Sequence, residues 1–171
     1  MSVDPAKPLI AQEPELHEIQ RAFLAKDGDA IVAMLSPDVV LNSPIISTKF
    51  RGREEIGDLF RGILQVLEDL RYTDTLRTDT TLVAAFRARV GRQEMQGVDL
   101  FRFDGEGRID EITVLIRPLA ALTALGSALA PRLGPSRGRR AVAGALVRPL
   151  AAITRVADPI AAQLILRRRD R

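Results

Sequence analysis

Few groups in this chain have both the type and the setting for acid–base chemistry, and Asp99 is the first of them. It stands in "GVDLFRF", a stretch that alternates like a strand. If one face carries Asp99, Phe101 and Phe103, the other carries Val98, Leu100 and Arg102, and the next strand adds Ile112, Val114 and Ile116 to the first face. A carboxyl among such side chains loses hydration, which raises its pKa by up to about 3 to 5 units at full burial. A neutral Asp99 can then donate a hydrogen bond to a ligand carbonyl. The structural alternative pairs Asp99 with Arg87 or Arg89 on the neighbouring strand, or leaves it solvated at a cavity mouth. Asn42 and Ser43 precede Pro44 between a strand and a helix. There they satisfy backbone groups at the strand end or contact a ligand. Tyr72, the only tyrosine, packs in the core or supplies a phenol donor.

Other chemistries are excluded by composition. The chain has no cysteine, which removes disulfides, thiol nucleophiles and thiolate metal sites together. A single histidine, His17, leaves no basis for a zinc site or a Ser/His/Asp triad, and its amphipathic helix places it in solvent. "DGEG" at 104–107 is a hairpin loop with no helix behind it to cradle a phosphate. No cofactor is expected. The acidic start lacks the apolar run of a signal peptide. The longest uncharged stretch, Pro118 to Pro131, has 14 residues, against the roughly 20 needed to span a membrane. A cytoplasmic location is therefore expected.

The elements that position these groups are legible from periodicity. Leu16, Ile19, Phe23 and Leu24 predict a helix over Glu15 to Lys26, and a second is expected over Ala30 to Leu35. A strand follows in "VVLNSPI". The stretch from Phe50 then looks helical, and Ile56, Leu59, Phe60, Ile63, Leu64 and Leu67 share one face of a helix over Arg53 to Leu67. Beyond it the period changes to two. "LRYTDTLRT", "LVAAFRARV", "QEMQGVDLFRF" and "IDEITVLIR" read as an antiparallel meander with turns at Asp79, Gly91 to Arg92 and "DGEG". The expectation is an α+β domain whose curved sheet wraps around helices.

The runs "GDAIVAMLSPDVVLNSPIISTKFRGREEIGDLF" and "GVDLFRFDGEGRIDEITVLI" resemble the nuclear transport factor 2-like superfamily, in its ketosteroid-isomerase and SnoaL-like branch, over roughly Glu15 to Ile116. The resemblance implies a conical fold with a deep apolar pocket and a homodimer formed through the outer face of the sheet. It implies no single activity. Ketosteroid isomerases use a carboxylate base with a Tyr and a protonated Asp as oxyanion donors. Carried over residue by residue, the base falls on Ser43, the Tyr on Ile19 and the protonated acid on Asp99. Polyketide cyclases would also place their carboxylate at Asp99. The Arg-x-Asp motif of the epoxide hydrolases falls near Arg87, Ala88 and Arg89, with their second Asp near Val114. The site expected from this comparison has Asp99 as acid or hydrogen-bond donor. Around it stand Ser43, Asn42, Tyr72, Phe23, Phe60, Phe86, Phe101, Ile112 and Val114. The ligand is an apolar small molecule bearing a carbonyl or hydroxyl. The expected function is isomerisation or cyclisation; the alternative is a binding or assembly module that keeps the fold without the base.

Charge divides the chain. Residues 132–171 hold ten arginines against Asp158 and Asp170, a net +8, whereas residues 1–131 hold 15 basic and 20 acidic side chains, a net −5. A domain over 1–131 and a basic tail over 132–171 are expected. "RPLAALTALGSALAPRL" at 117–133 and "RPLAAITRVADPIAAQL" at 148–164 share eight of seventeen residues at an offset of 31. Both read as Pro-started amphipathic helices. The first has an apolar stripe of Leu119, Leu122, Gly126, Leu129 and Leu133. The tail has no aromatic residue to stack on a base, so nucleic acid is not an expected partner. Its second helix is expected to dock on the acidic body or to lie on an anionic membrane surface.

Overall fold

The first two helices are each started by a side chain that satisfies a free backbone N–H group. The computed structural model describes residues 15–132. The second repeat copy, with Asp158 and Pro159, and the arginines beyond Arg132 lie outside the described residues. Helix α1 (Glu18–Leu24) is started by His17, whose Nδ1 accepts from Ile19 N at 3.2 Å while Gln20 Oε1 accepts from His17 N at 2.8 Å. His17 is therefore a capping residue, half-buried against the Phe103 ring at 5.2 Å, and not the solvated side chain expected from sequence. Burial, followed by the Arg77 charge, pushes its pKa below the usual value. Helix α2 (Gly28–Ala33) starts two residues before its apolar pattern because Asp27 caps it, accepting from Ala30 N at 2.9 Å.

Strand β1 (Leu35–Asn42) begins before its apolar run and ends before Ser43. Its register with the partner strand shifts between Leu35 and Val40, an irregularity that accommodates Pro37. Phe50–Arg51, at the head of the stretch that reads as helical, forms a two-residue strand β2 paired antiparallel with Leu41 and Val40. Gly52, at φ +87°, then turns the chain into helix α3 (Arg53–Val66), a backbone angle that L side chains rarely adopt. Glu54 and Glu55 in the first turn complement its dipole, and Glu55 accepts from Arg51 N at 3.0 Å.

The meander matches its expectation closely, with β3 (Glu68–Arg77), β4 (Thr81–Val90), β5 (Gln93–Phe103) and β6 (Ile109–Arg117). Periodicity did not show that β1 pairs parallel to β6, giving one sheet in the order β2-β1-β6-β5-β4-β3. Register shifts at Glu68/Arg71, Tyr72/Asp74 and Arg102/Phe103 add twist and curve the sheet. Phe103 keeps the inward face, opposite Ile109 and packed against the core and the His17 ring, beyond the cavity lining. Helices α1 to α3 fill the concave face around Ile19, Ile31, Leu35, Val39, Ile56, Phe101 and Ile112, all buried.

Helix α4 (Leu119–Leu129) follows the sheet and starts behind Pro118, as its sequence predicts. Its buried face differs from the expected stripe. Ala121, Leu125 and Leu129 face the core, whereas Leu119 is 60% exposed. The repeat alignment drew the stripe from spacings of three and four residues that start at Leu119. Docking against β4, β5, β6 and α3 instead buries Ala120, Ala121, Thr123 and Leu125, with Leu129 kept from the expected stripe.

Candidate functional site

Strands β3 to β6 present their inward positions as a continuous lining. Cross-strand register places Ala84 opposite Asp99 and Asp99 opposite Val114, with Leu82, Phe101 and Ile112 in the next inward row. Phe86, Gly97 and Ile116 form the row on the other side, joined to Tyr72 through Phe86. The helical wall contributes Phe23 and Phe60, packed edge to face at 5.2 Å. Between sheet and helices lies a cavity of about 200 Å³. Its lining is apolar apart from Asp99, Tyr72 and Ser43. Its mouth is flanked by Ile45 and Ile46, which are 42% and 47% exposed.

Asp99 forms no hydrogen bond or ion pair with any described residue. The two arginines that could have neutralised it point to the other face of the sheet. Arg89 is held there by Glu68 and by Asp69 at 2.9 Å, and Arg87 stands opposite Arg71 and Gln96. The surface that Asp99 keeps is turned to the cavity, and protein surrounds it otherwise. Burial alone pushes its carboxyl up to about 7. Tyr72, half-buried on the same wall, is raised well above the usual tyrosine value by burial and by the Asp99 charge. It is therefore a neutral donor throughout the physiological range. The site thus combines one carboxyl able to exchange a proton near neutral pH with one fixed phenol.

Of the residues expected from sequence, Phe23, Ser43, Phe60, Tyr72, Phe86, Asp99, Phe101, Ile112 and Val114 are brought together around the cavity. Ser43 also has a local role, since its Oγ accepts from Ile45 N at 3.1 Å and shapes the turn at the mouth. Asn42 does not join them. Strand parity turns it to the convex face, where its amide donates to Glu111 at 2.9 Å and Thr113 at 2.8 Å. Ile19, at the position where the resemblance puts a tyrosine, is fully buried core. Sequence reasoning gave α4 no part in the pocket, yet Leu125, Gly126, Leu129 and Ala130 close one side of it. The four-residue spacing of Ala121, Leu125 and Leu129 was the available signal.

Comparison with known proteins agrees with this geometry. Residues 16–112 match the SnoaL-like domain. A steroid delta-isomerase from Pseudomonas aeruginosa is 32% identical, with a TM-score of 0.60 over 68% of this chain and 93% of that one. A protein with a cystatin-like fold from Silicibacter pomeroyi DSS-3 is 26% identical, with a TM-score of 0.65 over 67% and 82% of the two chains. An epoxide hydrolase/cyclase-like enzyme with a role in pyran ring formation in the polyether salinomycin is 20% identical, with a TM-score of 0.52 over 61% and 88%, and shares the fold. A search of curated proteins found no match. No helix among the described residues is long and apolar enough to cross a membrane. With more than half of its length matched, the chain belongs to the SnoaL-like family, in the nuclear transport factor 2-like superfamily beside the ketosteroid isomerases.

Proposed function

We propose that the cavity binds a compact apolar molecule through a carbonyl or hydroxyl oxygen, with Asp99 and Tyr72 as its polar contacts, and that Asp99 exchanges a proton with the bound molecule. The observation that carries this reading is an unpaired carboxyl inside an apolar cavity, since such groups are rare where they serve only structure. The volume favours a small ligand, as sites for drug-sized molecules run to roughly 300–1,000 Å³. In an isomerisation or cyclisation, ionised Asp99 would take a proton from carbon next to the carbonyl. Tyr72 would hold the oxygen as charge develops on it, and Ser43 would orient the substrate from the mouth. The second reading is a binding module without catalysis. It is favoured by Ser43 and Ile19, which stand where the resemblance puts a base and a phenol.

Acetophenone carrying carbon-13 at its carbonyl separates the two readings. On binding, the carbonyl resonance is expected to move downfield, and the paired change Asp99→Leu with Tyr72→Phe is expected to weaken binding about tenfold or more, each lost hydrogen bond being worth about 1 kcal/mol. In heavy water the methyl protons should exchange for deuterium faster with the parent chain than with Asp99→Asn. Binding without exchange leaves the module reading, and absence of a downfield shift removes the carbonyl contact from both.

The convex face supports the further proposal of a homodimer. Leu76 and Leu115 are 58% and 62% exposed there, in cross-strand rows with Val83 and Leu100 and with Ala85 and Val98. Leu115→Glu is expected to halve the mass seen by sedimentation; a parent chain already monomeric at high concentration would refute it.

A further inference from the structure

The cavity gathers most of the aromatic surface of the chain around a single carboxyl. Five of the six phenylalanines and the only tyrosine line it. Asp99 stands among them on the sheet wall, opposite Ala84 on β4 and Val114 on β6. Phe101 follows two residues along β5 on the same face, which puts it about 6.7 Å away along the strand. On the other side the Phe86 ring lies over Gly97, its Cζ 2.2 Å from where a Cβ would stand. Rings therefore flank the carboxyl along the strand, while Ala84 directly beside it is small enough to leave room in front.

Two features of this arrangement point to a positively charged ligand. A carboxylate taken out of water is stabilised by an opposite charge, and the described residues lining the cavity include no lysine, arginine or histidine to supply one. A cation carried in by a ligand would meet that carboxylate and the faces of the rings beside it, both of which attract positive charge. The hydrogen-bonding capacity of the wall narrows the choice further. Apart from those of Asp99, the only side-chain oxygens are those of Tyr72 and Ser43, and Ser43 is engaged with Ile45 N at the mouth. A primary ammonium brings three N–H donors and would leave some of them bare in an apolar lining. A tertiary ammonium brings one, which Asp99 satisfies, and its alkyl groups suit the apolar and aromatic walls.

We propose that the cavity also takes a small tertiary amine in its cationic form, its N–H donating to ionised Asp99 and its apolar groups packed against Phe86, Phe101 and Tyr72. The inference rests on the reading of the cavity as a ligand site, and it gives that site a second ligand class selected by the ionisation of one residue. A ligand carbonyl gains a hydrogen bond from Asp99 only when the carboxyl is protonated, whereas an ammonium needs the carboxylate. Asp99 and Tyr72 are the only titratable side chains among the described lining residues, and Tyr72 stays neutral. With burial holding the Asp99 carboxyl at about 7, amine affinity rises with pH through neutrality and carbonyl affinity falls.

The test uses the full chain with N,N-dimethylbenzylamine, its uncharged analogue benzyl methyl ether, and acetophenone. By calorimetry the amine is expected to bind the parent at least tenfold more tightly than the ether at pH 8. Its affinity should rise about tenfold from pH 6 to pH 8, as the ionised fraction of a group titrating near 7 does. At pH 6 amine binding should release close to one proton, read from buffers of different ionisation enthalpy, and acetophenone binding should release none. Asp99→Asn is expected to lose both the preference for the amine and its pH dependence, with a cooperative thermal transition showing that the variant is folded. An amine that binds no better than the ether, or that keeps its pH dependence in Asp99→Asn, overturns the proposal; acetophenone binding by the same protein would leave the carbonyl reading standing. Amine binding without acetophenone binding supports the proposal and removes the carbonyl contact. If none of the three molecules binds, both readings fail, because the cavity is then not a ligand site.

Discussion

Asp99→Asn is expected to be more stable than the parent chain at pH 8 by about 2 to 4 kcal/mol, and equally stable at pH 4. In the folded protein burial holds the carboxyl at about 7, whereas the unfolded chain titrates near the ordinary 3.8. Between those values the native state binds the proton that the unfolded state has lost. Stability therefore falls as pH rises through this window and stays lower above it. The full separation of the two values converts to about 4 kcal/mol, and water entering the cavity lowers the figure toward 2. The amide cannot ionise, so its profile lacks this component. His17 works in the opposite sense. Its pKa is lowered in the fold, so its contribution is present above the usual histidine value and lost as pH falls through the folded one. Asp104 is likewise held low, first by the Arg108 backbone N–H and then by the Arg108 and Glu106 contacts of its turn, and its contribution is lost in acid. Both act equally in parent and variant, so the difference between the two denaturation profiles isolates Asp99. Parallel profiles from pH 4 to 8 would place the carboxyl in water and remove the proton exchange proposed for it.

Gly97→Ala is expected to cost about 2 to 3 kcal/mol and to abolish ligand binding in the cavity. A Cβ built on Gly97 meets Phe86 Cζ at 2.2 Å and Cε1 at 2.6 Å, and the Leu115 carbonyl oxygen at 2.9 Å. The ring can swing aside, and the space available to it is the cavity it already lines. The carbonyl belongs to the adjacent strand β6 and yields only if the sheet does. Filling the cavity and straining the ladder are thus two effects of one methyl group, read by acetophenone titration and by urea denaturation respectively. An Ala variant that keeps both properties would show that Phe86 and β6 move freely, and the cavity wall would then be soft rather than preformed.

Most of this architecture was legible because the meander obeys one simple rule. Strands β4 to β6 alternate so cleanly that the inward rows of Asp99, Phe101, Ile112 and Val114 follow from parity. Parity holds along β5 as far as Phe103, but the register slip against β6 was not legible, because a bulge is an event between strands and leaves little trace in either one. Asn42 illustrates a different limit. Its position beside Ser43 made it a pocket candidate, but adjacent residues on a strand face opposite ways, and where β1 ends determines which of them enters. The short strand at Phe50 and Arg51 was hidden by the helix that follows it, since two residues carry no periodicity. The cavity itself depends on distances between helix and sheet. The sequence specifies what could line it, and only the packed fold shows how much space is left and that no described residue neutralises Asp99.

The parallel seam between β1 and β6 also bears on how the chain is made. Asn42 and Thr113 are 71 residues apart and hydrogen-bonded. Closing a loop of that length costs about 4 kcal/mol in chain entropy, whereas β4 and β5 are joined by a two-residue turn. On the ribosome, at roughly 5–20 residues per second, β1 is complete about 4 to 14 s before β6 exists to pair with it. Throughout that interval Val39 and Leu41 are apolar residues on a strand whose central partner has not been synthesised. Asp99 emerges late in the same interval, ahead of the strand that will cover its flank. Its carboxyl leaves the ribosome in water, as an ordinary ionised aspartate, and acquires its unusual proton affinity only when the sheet closes.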